Sequence, residues 1–558
     1  MMIEVDKKPI EADVLVVGGG IAGLMAAIHA ADKGVSVVIA EKANTKRSGS
    51  GATGNDHFCC YIPEIHGPDM SPIVKEYNNS LVGGFADQTL VIKFLTQTFD
   101  RVQDWDKWGI DMRPTGKWEF IGHAFPGRPR IWLKYAGHNQ KEVLTREARR
   151  RGVRTENHLP ITDVITHGGK AIGAIGLDIR KEEPVLRIFR AKSVILATGS
   201  ASRLYPPAPS PGWLFNTAFC PSCTGAAQAT AYRAGARCIN MEFPNRHAGP
   251  KFLARCGKAT WIGVVADPGG KPVGPFVRRP TKELGDITAD VWNTVFTDLM
   301  ESGRGPAYMN CAGTSKADVD YMMWGLRSEG NTAMLDYMKK EGIDVRKHMV
   351  EFMQYEPHLI GRGVEIDLNG ETCVPGLYAA GDPVGNFRAD IAGAATYGWI
   401  AGGSAAERAM GIPGFGKAER APLVQERVKL YSRFMGNENG PDWREANVAL
   451  QQIMKDYAGV VVRSETLLKA GLKYFGDLRE KVLETMAARN AHTLMRCMEV
   501  LDLMVCGEMI FRTALERKET RAQHRRSDFP FTNPLLAEKF ITIRRERGTP
   551  VTEWRDRT

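Results

Sequence analysis

Six residues near the start of the chain, Gly18-Gly19-Gly20-Ile21-Ala22-Gly23, have the spacing G-x-G-x-x-G, and Glu41 with Lys42 follows roughly twenty residues on. Such a set can grip a dinucleotide. Missing side chains permit a tight turn, let the backbone approach a diphosphate and let the next helix pack closely. A helix starting there turns its unpaired N–H groups and positive dipole end toward the phosphates. A carboxylate at position 41 favours a ribose 2′-hydroxyl and disfavours a 2′-phosphate. An NADP-type ligand is thereby excluded more firmly than NAD is separated from FAD. A second set, Cys220-Pro221-Ser222-Cys223, has the spacing of a redox motif. It sits in a loop-like stretch with no second pair to complete a zinc or cluster site, and small packing residues are its simpler reading.

The elements that must position the glycines are legible on both sides of them. Ala12 to Val17 is a short β-branched run ending in glycine, as expected of a buried parallel strand. From Ala22 to Lys33 the residues are small and apolar, Gly34 ends that helix, and Val35 to Ala40 forms a second strand closing on Glu41. Ala191 to Ala197 reads as a late strand ending at Thr198-Gly199, and Gly376 to Asp382 is followed by a glycine- and alanine-rich helix start. Trp443, Ala446, Leu450, Ile453, Met454 and Tyr457 recur at helical spacing, as do apolar positions from Leu494 to Met509. Residues after about 413 therefore read as helices with these stripes as core.

With 558 residues the chain is too long for one core and suggests three or four compact units. A content of 43% hydrophobic and 25% charged residues is that of a globular protein, neither disordered nor fibrous. The net charge of +10, from 74 Lys and Arg against 64 Asp and Glu, is spread widely. Its densest cluster, Arg517 to Arg526, is broken by Glu519 and Thr520 and has no interleaved aromatics, which argues against nucleic acid and for anionic cofactors, substrates or partners. The first residues lack a secretory pattern, and no apolar run reaches the roughly 18 residues of a membrane span. Ten scattered cysteines form no disulfide framework, metal site or iron–sulfur site. A cytoplasmic location is expected, with any membrane contact made through a partner.

Together with Arg47-Ser48-Gly49 and the stretch from Glu519 to Pro530, the Thr198-Gly199 and Gly381-Asp382 turns make the chain resemble the flavoprotein subunits of the fumarate reductase/succinate dehydrogenase superfamily. Glu301 to Asn310 and Asn240-Met241-Glu242-Phe243 look most like the alpha subunit of adenylylsulfate reductase. The resemblance implies an α/β FAD-binding domain, Rossmann-like and split into residues 1–240 and 360–412. It further implies an inserted α+β capping domain at 241–359 and a helical C-terminal domain at 413–558. It makes FAD the cofactor and brings Ser48, Thr198, Gly199, Gly381, Asp382, Asn386 and Ala394 to it. Gly49 stands where membrane-bound relatives carry the histidine bonded to FAD, so the flavin is expected to be noncovalent.

For the substrate side, His358 in Pro357-His358-Leu359 resembles the histidine of the family's substrate loop, where its pKa suits proton exchange near neutrality. Arg388 resembles the arginine that clamps a dicarboxylate, a task for a planar guanidinium fork. Arg246 and His247 fall where the family places substrate-facing residues. The arginine-glycine-glutamate segment that carries the proton-shuttling arginine of fumarate reductases is not found, which puts direct fumarate reduction in doubt. Two polar anchors of the adenylylsulfate reductase pocket are also replaced, one near Cys59 and one at Gly137-His138, leaving His57 and His138 as substitutes facing a different substrate.

These residues lead to an expected FAD-dependent catalytic flavoprotein that acts on a small anionic substrate, with electrons relayed by a ferredoxin-like iron–sulfur partner. A self-contained oxidase resembling L-aspartate oxidase is the alternative within enzymes. An electron-transfer or redox-sensing flavoprotein without its own substrate is the alternative outside them.

Overall fold

The structure, a computed structural model, describes residues 3–558 except 81–83, 121–127, 209–212, 252–260, 276, 282–283, 287, 289–291 and 293. Its main sheet has eight strands. Ile10–Val17 lies between Val37–Glu41 and Val185–Leu196, parallel to both, and Arg154–Asn157 extends the sheet beyond Val37–Glu41. Residues 14–17 and Val37–Glu41 are buried on both faces at the centre of the sheet, the usual setting of a continuous hydrophobic run in a parallel sheet, whereas the edge strand Arg154–Asn157 is polar. Lys170–Asp178 and Ile161–His167 continue the other edge in antiparallel fashion.

Val185–Leu196 explains how the sheet can be split in sequence. The chain leaves it after residue 196 and comes back as Leu377–Ala379, which pairs parallel to it with Leu377 opposite Val194. The returning segment then enters the helix Asp390–Met410, which packs along the first helix, Ile21–Asp32. Small residues set that distance: a Cβ on Gly402 would lie 2.2 Å from the Ala26 carbonyl oxygen.

Between the two halves, Ala248–Pro250, Val350–Gln354, Ala307–Asn310 and Val264–Ala266 form an antiparallel sheet in that order. With the helices Val295–Glu301, Lys316–Ser328 and Thr332–Lys340 it encloses its own core around Trp261, Phe296, Met309, Met322 and Phe352.

After residue 413 come four helices, Pro422–Gly436, Trp443–Tyr457, Glu465–Thr485 and Ala491–Glu516. Asp442 and Glu445 form a capping box on the second, and Ala491–Glu516 is buried on nearly every side, so it is the axis of this group. The helical reading of this region misses its last part. Lys539–Glu546 and Thr549–Asp556 form a hairpin that joins Cys238–Ile239 and Gly363–Val364 in a four-stranded sheet. Its turn, Arg547-Gly548, takes positive φ at both residues, the geometry that matches strand twist in tight hairpins. Among the described residues no helix is long and apolar enough to cross a membrane.

Candidate active site

The first helix begins at Ile21 after an extended Gly20 that has no side-chain cap, and its first turn carries no acid. Gly20, Ile21 and Ala22 line a cavity, and among the described residues no side chain caps the helix start there. Gly18 takes φ +98°, and a Cβ there would meet the Ala197 carbonyl oxygen at 2.5 Å. At Gly23 a Cβ would come within 1.9 Å of the Gly18 oxygen, so only glycine allows the helix to start this close to its strand. Glu41, at the end of Val37–Glu41, accepts hydrogen bonds from the Gly19 and Ala43 N–H groups, both at 2.6 Å. Lys42 beside it pairs with Glu499 at 2.7 Å and donates to the Ser222 carbonyl.

From this glycine turn a cavity of about 830 Å³ runs along the sheet, within the size range of cofactor sites. Gly18, Gly20, Ile21, Ala22, Glu41, Lys42, Ser48, Thr198, Gly199, Gly381, Asp382 and Ala394 all line it. The uncapped helix start, the glycine cradle and a carboxylate at the strand end fit a dinucleotide. Burial and the nearby Asp390 carboxylate push the Asp382 carboxyl up to about 7, against the pull of Arg388.

Farther along, the wall becomes cationic. Arg388 donates from Nε to Asp390 Oδ1 at 2.8 Å, and its Nη2 lies 3.2 Å from His247 Nε2. Burial and then the Arg388 charge hold His247 down to about 3, so the ring is neutral and its Nε2 is the acceptor. Its Nδ1 is buried with no partner among the described residues. Arg246 donates to the Tyr355 and Gln354 carbonyls, and burial lowers it to about 10 although Glu356 opposes this. Arg246, His247 and Arg388 thus line one cavity, with the Arg388 charge met by Asp390 and the Arg246 guanidinium held by backbone carbonyls. Asp390, which opens the helix Asp390–Met410, is held at φ +45°, a strained setting for a residue with a side chain at a site wall.

The same cavity is lined by His57, on the short strand His57–Cys59. Burial lowers its pKa, but Asp56, at 2.6 Å from Nδ1, together with Glu329 and Asp390 pushes it up to about 9. His57 is accordingly an imidazolium at neutral pH. The ligand atoms of Asp56, His57 and Glu329 lie within 4.8 Å of one another, and a protonated Nδ1 makes this an ion-pair group, with no lone pair on that nitrogen for a metal.

Four residues anticipated from sequence do not line the cavity. Gly23 serves it through helix packing. His358 lies one ring behind, 5.2 Å from His247 and 4.3 Å from Phe219 between centroids, with Nε2 buried and unpartnered. Asn386 is consumed by the fold, accepting from Ile366 N–H at 3.1 Å and donating to the Ile366 carbonyl and Asp87, both at 2.9 Å. His138 is exposed. Sequence reasoning missed Asp390, Glu329, Phe219 and the buried Lys141, which donates to the Gly19 carbonyl and is lowered by burial to about 8. Each comes from a separate part of the chain, and no spacing rule joins them.

Residues 13–389 match the FAD binding domain family, and residues 447–555 match the fumarate reductase flavoprotein C-terminal family. One chain of the fumarate reductase (CoM/CoB) of Methanothermobacter marburgensis is 27% identical over 94% of this chain and 95% of its own. An adenosine-5-phosphosulfate reductase solved in complex with sulfite superposes with a TM-score of 0.86 at 22% identity, covering 99% of this chain and 98% of that one. The adenylylsulfate reductase of Archaeoglobus fulgidus gives 0.84 at 22% identity, covering 99% and 97%.

Proposed function

This chain belongs to the FAD binding domain family and is an FAD-dependent oxidoreductase, and from that premise we propose that it is the catalytic flavoprotein subunit of a reductase or dehydrogenase whose substrate is a small anion. A separate iron–sulfur protein carries the electrons to or from it. Bound FAD supplies the two-electron chemistry. Gly18 to Gly23 and the first helix would hold its diphosphate, and the Glu41 carboxylate would accept from a ribose hydroxyl. Gly49 offers no nucleophile, so the flavin is noncovalent.

The observation that carries the substrate reading is the convergence of Arg388, Arg246 and neutral His247 on one end of the cavity. Each guanidinium keeps Nη1 outside the hydrogen bonds described above, and both can direct charge-assisted N–H groups to carboxylate, sulfite or phosphosulfate oxygens. His247, neutral and with Nε2 engaged by Arg388, positions that guanidinium rather than exchanging a proton at neutral pH. His57 is the charged group placed to give one up. His358 supports His247 from behind.

The test is anaerobic turnover of the purified, flavin-loaded chain with a reduced viologen as artificial donor, offering fumarate, adenylylsulfate and sulfite in turn, and with an electron-accepting dye for the reverse direction. Turnover with one of these anions, lost in Arg388→Ala while the flavin stays bound, supports the proposal. Co-purification from the native host with a protein containing iron and sulfide supports the electron partner. Rapid reoxidation by air during turnover without a partner favours a self-contained oxidase, and a chain that cannot take up FAD sinks the reading altogether.

A further inference from the structure

The chemistry above leaves the Cys220-Pro221-Ser222-Cys223 segment unused, yet the fold places it on the cavity. The N–H of Cys223 donates to the Cys220 carbonyl at 3.0 Å, closing a turn whose ends lie within the Cα separation a disulfide spans. The two thiols are in side-chain contact with each other. Among the described residues they are the two cysteines that line the cavity.

The surroundings of the segment tie it to both ends of the site. Phe219, next to Cys220, packs its ring at 4.8 Å from His247 and 4.3 Å from His358. The Ser222 carbonyl receives Lys42 from the dinucleotide end. Cys223 rests on Gly199, where a Cβ would lie 2.8 Å from its sulfur, so this glycine, at φ +80°, leaves the room the thiol occupies. Cys220 is half-buried and Cys223 buried, an arrangement with one thiol open to an incoming reagent and one held back to resolve it. A hydrogen bond to Cys220 and burial hold the Cys223 thiol well above its ordinary value, against the pull of Lys42, so Cys223 is the partner that keeps its proton.

We infer that Cys220 and Cys223 are a reversible dithiol–disulfide pair on the wall of the cofactor cavity, able to hold one electron pair beside the flavin site. With a small-molecule disulfide as oxidant, Cys220 attacks as the thiolate, breaks the S–S bond and releases one thiol, leaving a mixed disulfide. Cys223 then attacks the Cys220 sulfur and releases the second thiol. Two protein thiols become one disulfide, and the reagent gains the two electrons and two protons. A dithiol reductant runs the same steps backward.

The experiment equilibrates the FAD-loaded full chain with glutathione buffers of graded ratio, traps thiols with N-ethylmaleimide under denaturing conditions, and maps the 220–223 peptide by mass. The expected result is a single transition in which both adducts vanish together and the peptide appears internally bridged. Peptide alkylated at both cysteines across all ratios overturns the inference, and so does glutathione attached to Cys220 without any bridge. Because the mapping needs only the wild-type chain, failure of a variant to fold does not blunt it, and because it does not depend on turnover, it is separate from the proposed activity. As a second readout, anaerobic dithionite titration of the oxidised protein should consume roughly four electrons per flavin, falling to roughly two in Cys220→Ser. Equal uptake of about two by both proteins counts against the pair.

Discussion

Arg388 reaches the cavity with Nε committed to Asp390 and Nη2 to His247, so its position is fixed before any substrate arrives. A lysine there could keep the charge but not the fork. Arg388→Lys is therefore expected to lower kcat/KM by roughly 30- to 150-fold, about 2–3 kcal/mol, while the flavin-to-protein absorbance ratio stays unchanged. A variant that keeps full kcat/KM would remove Arg388 from the substrate site. His57 makes a different kind of claim, one about pH. Its pKa in the fold stands at about 9, above its ordinary 6.5, because Asp56, Glu329 and Asp390 outweigh burial. A raised value means that the charged ring stabilises the fold fully below about 6.5 and that this contribution is lost as pH rises through about 9. The Tm difference between wild type and His57→Gln should be largest near pH 6 and close toward zero above about pH 9. A difference that is flat across that range would show that His57 is not held as an imidazolium.

The turn between Ile10–Val17 and Ile21–Asp32 depends on the absence of side chains at particular atoms. Gly18→Ala sets a Cβ against the Ala197 carbonyl and asks alanine to hold φ +98°. The expected outcome is a chain that folds but binds FAD roughly 5- to 150-fold more weakly, about 1–3 kcal/mol, read from flavin titration of the apoprotein. Unchanged affinity would mean that the turn does not cradle the diphosphate. This unit was legible in the sequence because strand, glycines, helix, strand and acid are contiguous and each has a local signature. Arg388, Arg246 and His247 were legible only through resemblance, since 141 residues separate His247 from Arg388 and their pairing exists only in the fold. Asn386, brought to the flavin by the resemblance, has its amide taken in this fold by Asp87, 299 residues earlier. Lys141 was hidden for the same reason, its contact with Gly19 spanning 122 residues. The closing hairpin carried a signal that helical expectation masked, with Phe540, Ile541 and Ile543 buried and Arg547-Gly548 at the turn.

The insertion between the two halves of the FAD-binding region is anchored where it begins and ends. Asn245 and His358 exchange backbone hydrogen bonds at 2.8 and 2.9 Å, and the Tyr355 N–H donates to the His247 carbonyl at 2.8 Å. Arg246 and His247 thus sit at the base of the inserted sheet, and any rocking of that sheet moves the cationic end of the site. Its far edge meets the FAD-binding region at a second place, where the 328–330 segment lies against residues 53–57. There the backbones almost touch: a Cβ on Gly54, at φ +111°, would lie 2.2 Å from the Ser328 oxygen, and one on Gly330 would lie 2.7 Å from the Thr53 oxygen. Glu329, between those contacts, faces His57. Closure of the insertion over the cavity therefore requires two glycines, and it delivers the carboxylate that helps keep His57 charged. Gly54→Ala should prop this contact open without touching the dinucleotide cradle. The expected result is normal flavin content, a kcat lowered at least about tenfold, roughly 1.4 kcal/mol, and a His57-dependent step in the pH–stability profile shifted to lower pH because Glu329 has been moved away. If kcat and that step both stay where they are in the wild type, the insertion does not close through this contact, and the charge on His57 must be set by Asp56 and Asp390 alone.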